Sequence, residues 1–307
     1  WRPGPGLVCG VGNPWLRRRV IAYAHRGGAR EAPSNTLYAM RRALARGATG
    51  LELDVHPTAD GHLVVCHDPT VDRTTDGSGP ISSLTLEQVR SLDAAYWFCP
   101  GEEAVRGRDP KDYPLRGLAG RDPSLRLPTL EEVLQAFPGV VLNIDIKQGP
   151  PATRAYEAEV AAALARFGRG DDVIVTSFND ATVRAFSELA PHVPTAAGLG
   201  ETAEFVAAVR SGAPPPALAR QALQLPPTWA GADLVDRALV EAAHRAGLAV
   251  HVWTVDDPGE MARLVSLGVD GIMSDVPSVL ARVLAELGAA WRPGEGPQPR
   301  PALGRLP

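Results

Sequence analysis

A chain of 307 residues, 45% hydrophobic and 21% charged with a formal net charge of −4, is long enough for one large barrel or two ordinary domains and can bury a substantial core. It has no basic block long enough to track a phosphate backbone and no stretch near the ~20 apolar residues of a membrane span, which argues against nucleic acid as a partner and against stable membrane insertion. Cys9, Cys66 and Cys99 are an odd set without metal-ligand spacing, so neither a disulfide framework nor a zinc centre is expected, and the cytoplasm is the default location.

Residues 1–18, rich in Gly and Pro, read as an extended lead-in to a catalytic domain over 19–288. A first strand, Val20 to His25, runs into Arg26-Gly27-Gly28, where glycine lets backbone approach a ligand closely. Pro33-Ser34-Asn35 introduces a helix over Thr36 to Ala45, and a second strand follows at Leu51 to Val55. After the Asp60-Gly61 turn, Leu63 to His67 is a short apolar run returning toward the same end. From about 70 to 128 the chain is crowded with Asp, Gly and Pro and offers one helical piece near Leu84 to Leu92. That is too long for an ordinary connection and reads as an insertion at the rim, with Tyr96, Trp97 and Phe98 expected to anchor it to the body.

Regular alternation then resumes. Strands are expected near Val140 to Ile146, Val173 to Thr176, Pro194 to Leu199, Ala222 to Leu225, Ala249 to Trp253 and Gly271 to Met273, with Ala-rich helices between them. With the first two strands this makes eight strand–helix units, the rhythm of a TIM (β/α)8 barrel carrying an insertion between its second and third barrel strands. A doubly wound open sheet is the alternative, but no glycine-rich dinucleotide fingerprint follows the first strand. The stretch 289–307, dominated by Pro, Gly and Arg, reads as a disordered tail.

Glu52 and Asp54 flank Leu53, so their carboxylates share one face of a strand. Two like charges on a core face are costly unless a cation or protons neutralise them. If the strands close a barrel, His25, Glu52 and Asp54 converge on the mouth at the strand C-termini, joined by Asp145 and Lys147 from the next barrel strand. Three carboxylates offer an oxygen-rich site for Mg²⁺ or Ca²⁺. His25 and His67 can exchange protons near neutral pH, Arg26 offers a bidentate fork to phosphate, and Lys147 adds a point charge. Together these groups describe attack on a phosphodiester. Glu31 and Asn35 are weaker candidates for orienting His25 or the carboxylates, and Trp253 offers an apolar wall for a glycerol or alcohol group. His56, His62, His192, His244 and His251 have no convergent context and are expected to be structural or exposed.

In order along the chain, His25-Arg26-Gly27, Glu31, Asn35-Thr36, Glu52-Leu53-Asp54-Val55, Asp60-Gly61, His67-Asp68 and Arg73-Thr74-Thr75-x-Gly77 resemble the glycerophosphodiester phosphodiesterase family. The likeness continues through Pro128-Thr129-Leu130, Asp145-Ile146-Lys147, Ser177-Phe178, Trp253-Thr254-Val255 and Gly271-Ile272-Met273-Ser274-Asp275, spanning roughly 20 to 285. It implies a TIM barrel, a bound divalent cation, and hydrolysis of glycerophosphodiesters to glycerol 3-phosphate and an alcohol. By matching motif, it implies Glu52 and Asp54 as metal ligands, His25 and His67 as the acid–base pair, and Arg26 and Lys147 as phosphate contacts. Asp145 stands where the family more often has Glu, one methylene shorter, so a water-bridged contact is the fallback to direct ligation. Alternatives are a lysophospholipase D or phospholipase C-like enzyme, whose apolar groove would be sought in the 70–128 insertion, and a catalytically silent barrel binding phosphorylated ligands.

Overall fold

The computed structural model describes residues 12–147 and 154–294. Most of the expected lead-in, the start of the helix expected from Thr153, and the tail from 295 onward lie outside the described residues.

In chain order the elements are β1 (Ile21–His25), α1 (Leu37–Ala45), β2 (Gly50–Pro57), β3 (Leu63–Val65), α2 (Leu86–Arg90), α3 (Leu130–Ala136), β4 (Val141–Ile146), α4 (Glu157–Arg166), β5 (Val173–Thr176), α5 (Asp180–Leu189), α6 (Leu199–Ser211), β6 (Ala222–Leu225), β7 (Thr228–Trp229), β8 (Ala232–Asp233), α7 (Arg237–Arg245), β9 (Ala249–Val252), α8 (Pro258–Leu267), β10 (Gly271–Ser274) and α9 (Pro277–Glu286). Parallel strands follow the spatial order β5-β4-β2-β1-β10-β9-β6. Between β5 and β6 the wall is closed by Thr195, bridged to Val175, and Ala196, bridged to Ala222. The fold is a TIM barrel whose eighth wall position is reduced to those two residues. The strand expected over Pro194 to Leu199 is this short because Pro194 has no N–H to donate and α6 already begins at Leu199.

Helix starts follow local chemistry. Thr36, rather than Asn35, caps α1 by accepting from the Ala39 amide; Thr129 and Glu132 form a reciprocal capping box on α3; Asp257 caps α8, with Pro258 in its first turn. Alternation along each strand divides its side chains between two surroundings. Leu51, Leu53, Val55, Leu142, Ile144 and Ile146 face the outer helices. Ile21, Tyr23, Val141, Ile174, Ala222, Ala249 and Met273 form a cluster of their own with Trp15 and Trp291, filling the lower barrel. Register stacks this interior in layers. Tyr23 lies level with Gly50 and Met273, while one layer higher His25 is level with Glu52, and Glu52 with Asn143. Gly50 is required where it stands, because a Cβ there would lie 2.7 Å from the Tyr23 ring.

Two sequence expectations at the barrel floor are corrected. Trp15, placed in the extended lead-in, is 0% exposed, and Trp291, placed in the disordered tail, is 6% exposed. The Arg18 guanidinium lies 4.7 Å from the Trp15 ring, and the Asn13 side chain donates to the carbonyls of Gln221 and Gly247. Large aromatic area outweighed the Gly- and Pro-rich composition around it.

Above this floor, His251 is buried against Trp15 and Tyr23 with both ring nitrogens lacking a partner. Burial holds it neutral and pushes its pKa down to about 4. The unfolded chain binds this proton from about pH 6.5, so the stability contributed by neutral His251 is intact above that pH and is lost as the pH falls toward 4. The expected loss is about 3 kcal/mol over that window. Urea melts of wild type and His251→Leu at pH 7.5 and 4.5 check it: the gap between the two proteins should shift in favour of the variant at the lower pH.

β3 runs antiparallel to β2, and the chain from 66 to 129 forms the insertion. It has its own small core around Cys66, Val71, Ile81, Val89 and Leu127. Tyr96 and Trp97 hold the insertion to itself rather than to the barrel, gathering with Tyr113 around the Arg116 guanidinium at 4.4, 4.8 and 3.7 Å. The insertion docks on the barrel where Gly101 N–H donates to the Arg30 carbonyl and the Arg30 Nε donates back to the Gly101 carbonyl, and where Tyr38 of α1 packs against Ala95, Ala119 and Leu125. Among the described residues no helix is long and apolar enough to cross a membrane.

Candidate active site

The C-terminal ends of the strands open into a cavity of about 520 Å³ lined by His25, Arg26, Glu52, Asp54, His67, Asp145, Lys147 and Trp253, so all eight candidates from the sequence meet at one mouth. β2 and β4 pair with Asp54 level with Asp145, which sets the carboxylates of adjacent strands side by side. The Tyr156 hydroxyl donates to the Val55 carbonyl and ties α4 to the end of β2.

Each histidine is held by a carboxylate through Nδ1. His25 Nδ1 lies 2.7 Å from Asp275 Oδ1, and His67 Nδ1 lies 2.7 Å from Asp68 Oδ1. An ionised carboxylate only accepts, so Nδ1 carries the proton in both rings and Nε2 is left for a ligand in the cavity. Asp68 is gripped in turn by Arg73, Nε at 2.6 Å and Nη2 at 3.1 Å. Burial alone would raise the Asp68 carboxyl, but His67 and Arg73 outweigh it and hold it well below the usual range. Burial alone would lower the His25 pKa; neighbouring Glu52 and the Asp275 hydrogen bond reverse this and raise it.

The carboxylates carry more charge than their partners neutralise. Glu52 accepts from the Arg26 backbone N–H at 2.9 Å and stands 3.8 Å from His25 Nε2. Burial, reinforced by Asp54 beside it, pushes Glu52 up to about 7. Burial would also raise Asp54, but Lys147 and Arg26 hold it low. Lys147 Nζ sits 3.0 Å from Asp54 Oδ1 and 2.5 Å from Asp145 Oδ2, and these neighbours raise its pKa against the opposing effect of burial. Asp145 stays raised by burial even beside Lys147, and its Oδ1 is buried with no hydrogen-bond partner. Three acidic oxygen donors, one of them orphaned, suit a hard divalent cation in chemistry. In geometry the Lys147 ammonium fills the gap between Asp54 and Asp145, and among the described residues no three such side chains are gathered around one point.

Arg26 adopts a left-handed backbone at φ 53, uncommon outside glycine, and Gly27 and Gly28 follow at φ 81 and 92. A Cβ on Gly27 would come within 2.9 Å of Ala39, so α1 packs directly on this turn. Arg26 Nη1 reaches Glu103 of the insertion at 3.2 Å, and the second oxygen of Glu103 lies 2.5 Å from Arg73 Nη1. One insertion carboxylate therefore bridges the arginine beside His25 to the arginine that orients Asp68 and His67.

Of the weaker candidates, Asn35 donates to Asp54 Oδ2 at 3.5 Å, whereas Glu31 turns to Ser278 at the start of α9, accepting from its amide at 3.0 Å and its hydroxyl at 2.6 Å. His56, expected to be structural or exposed, is buried and structural: its Nε2 donates to the His67 carbonyl at 3.1 Å and props that loop. Sequence reasoning gave Asp275 no role, although it stands in the family likeness and directly follows the last barrel strand, where the C-terminal-end rule points. Asp256, which accepts from the Asp275 amide at 2.8 Å, and Glu103 left no such signal.

Asp275→Asn removes a hydrogen-bonded charge that, after Glu52, raises His25, and it allows the wrong tautomer. The expected result is a fall in kcat of at least about tenfold. The limb of the pH profile belonging to His25 should move to lower pH, whichever direction His25 moves its proton; a pH–rate profile that loses amplitude without moving counts against the pairing.

A parallel barrel presenting two carboxylate-held histidines, a guanidinium and a lysine beside buried acids defines a hydrolase of phosphoric diesters. The model of the glycerophosphoryl diester phosphodiesterase family matches residues 25–279, and the chain belongs to that family. It is 34% identical over 276 residues to a glycerophosphodiester phosphodiesterase of Caldanaerobacter subterraneus subsp. tengcongensis, covering 88% of this chain and 100% of that one. Among solved structures, a glycerophosphodiester phosphodiesterase from Agrobacterium tumefaciens superposes with a TM-score of 0.61 at 26% identity, covering 85% of this chain and 98% of the other. A phosphodiesterase from Oleispira antarctica, solved with its product sn-glycerol-3-phosphate, has the same fold at a TM-score of 0.62 and 23% identity, covering 86% of this chain and 96% of that one.

Proposed function

We propose that the mouth hydrolyses glycerophosphodiesters to glycerol 3-phosphate and an alcohol, with His25 and His67 as the proton-transfer pair. The observation that carries this reading is the paired orientation of the histidines: each Nδ1 is committed to a carboxylate, and both rings line one cavity with Arg26 and Lys147. Water attacks phosphorus and loses a proton to one imidazole, the phosphorus–oxygen bond to the alcohol breaks, and the other imidazole protonates the departing oxygen. Arg26 and Lys147 bind the phosphate oxygens and offset the charge that grows on them. Lys147 must exchange part of its hold on Asp54 and Asp145 for the phosphate.

Glu52, Asp54 and Asp145 are the residues that would hold Mg²⁺ or Ca²⁺. Bound there, the cation would supply Lewis-acid polarisation of a phosphoryl oxygen. The orphaned Asp145 oxygen and the raised Glu52 carboxyl support this assignment. Trp253 stands 5.6 Å from Phe178, edge to face, and Lys147 Nζ lies 5.5 Å from the Phe178 ring, so this apolar wall adjoins the charged groups. A cytoplasmic setting accords with the free thiols of Cys66 and Cys99.

Glycerol 3-phosphate release from glycerophosphocholine, followed by a coupled assay with EDTA and with Mg²⁺ or Ca²⁺ restored, tests the reading. Cation-dependent release is expected; no release from any glycerophosphodiester head group would overturn it.

A further inference from the structure

The insertion reaches toward the mouth with one short turn-back of the chain. Phe98 bridges Ala104 in antiparallel fashion and Val105 N–H donates to the Trp97 carbonyl at 3.0 Å, so Cys99 to Glu103 form its tip. The base is fixed by the Trp97 indole, whose Nε1 donates to the Thr75 carbonyl at 2.8 Å. The two acids at the tip part company: Glu102 goes to Arg108 at 2.6 Å, and Glu103 goes to Arg26 and Arg73. Each Glu103 oxygen takes one arginine. Arg73 grips Asp68, the partner of His67, through Nε and Nη2 and gives Nη1 to Glu103, so its guanidinium is fully committed. Arg26 gives Nη1 to Glu103, which leaves Nη2 for a phosphate oxygen. The insertion is docked without this carboxylate, by Gly101 on Arg30 and by Tyr38 on Ala95, Ala119 and Leu125. A partly exposed ion pair adds little stability, so holding the insertion down does not account for a carboxylate bound at both oxygens to these two arginines.

We propose that Glu103 is a positioning residue for the phosphodiester reaction: it orients the Arg26 fork for the phosphate and, through Arg73 and Asp68, fixes the His67 ring for proton transfer. The inference rests on the phosphodiesterase reading and adds to it a residue of the insertion. Arginine side chains are long and flexible, and a carboxylate shared between two of them removes freedom from both before the substrate arrives. Glu103 itself takes no proton and bonds to no substrate atom. Its two arms act on different quantities: the Arg26 arm on phosphate affinity, and the Arg73 arm on the rate of proton transfer.

Glu103→Gln keeps the shape of the side chain and removes its charge. With glycerophosphocholine as substrate it should lower kcat about tenfold. The inhibition constant of the product glycerol 3-phosphate should rise about fivefold, as for loss of one orienting ion pair. Mere loosening of the fold would reduce the active fraction, and so kcat, while leaving that inhibition constant in place. An unchanged inhibition constant, with or without a fall in kcat, therefore overturns the proposal. Tighter inhibition overturns it too, because Glu103 would then compete with phosphate for Arg26. In an Arg73→Gln background the two arms separate: Glu103→Gln should still raise the inhibition constant about fivefold but lower kcat by less than about twofold further, since its route to His67 is already cut. A further loss of kcat as large as in the wild-type background overturns the proposal. If the wild type turns over no glycerophosphodiester, the phosphodiesterase reading fails instead. The Arg26 arm is then read from calorimetric binding of inorganic phosphate to wild type and Glu103→Gln, where weaker binding by the variant supports it and equal or tighter binding overturns it.

Discussion

His25→Ala and His67→Ala are each expected to lower kcat/KM for a glycerophosphodiester by about 10²–10⁴-fold. The double variant should fall little further than the more damaged single one, because two groups that pass protons through one transition state fail as a unit. The wild-type pH profile should be bell-shaped, and each single variant should lose one limb. Assigning the lost limb tells which ring is the base, a choice the symmetric Nδ1 contacts to Asp275 and Asp68 leave open. Single variants that keep both limbs and most of the rate would remove the histidines from the chemistry.

A second large effect is expected from Glu52→Gln combined with Asp54→Asn. Activity should fall by at least about 10²-fold, as for loss of a principal charge-stabilising group. In EDTA the two carboxylates act on stability in opposite directions. The Glu52 carboxyl is pushed up to about 7, so as the pH rises from about 4.5 through 7 the unfolded chain ionises it more readily than the fold does. Removing the Glu52 charge relieves that opposition, so above pH 7 Glu52→Gln alone should melt higher than wild type without added cation, whereas Asp54→Asn, which removes a charge that Lys147 and Arg26 favour, offsets that gain in the double variant. Mg²⁺ or Ca²⁺ should then raise the melting temperature of wild type and leave the variant unmoved. Equal responses of the two proteins, or full activity in the variant, would refute a cation held by this pair.

The charged face of β2 was legible because β-strand periodicity places Glu52 and Asp54 together whatever surrounds them, and both lie buried at the mouth. The barrel was legible from repetition of strand and helix, since parallel strands need crossovers of that length. Less visible was the wall at Thr195 and Ala196, because one bridge on each side leaves no periodic signal. Short helices such as α3, and the two-residue strands β7 and β8, escaped for the same reason: their local preference is weaker than the tertiary contacts that hold them.

The site divides in the same way. Residue type and spacing along the chain determined which groups are competent for phosphodiester chemistry, and chain order determined which strand end each occupies. Only the tertiary structure decided which carboxylate serves which partner. Asp275 lies 250 residues from His25 yet 2.7 Å from its ring, and Glu103 joins Arg26 to Arg73 through an insertion with no regular pattern. It also decided that the exposed apolar side chains Leu199 and Trp229 line the mouth from α6 and a hairpin, rather than from the insertion where length and composition pointed. Contacts of this kind come from register and from loops packed by their own side chains, and neither is written in local periodicity.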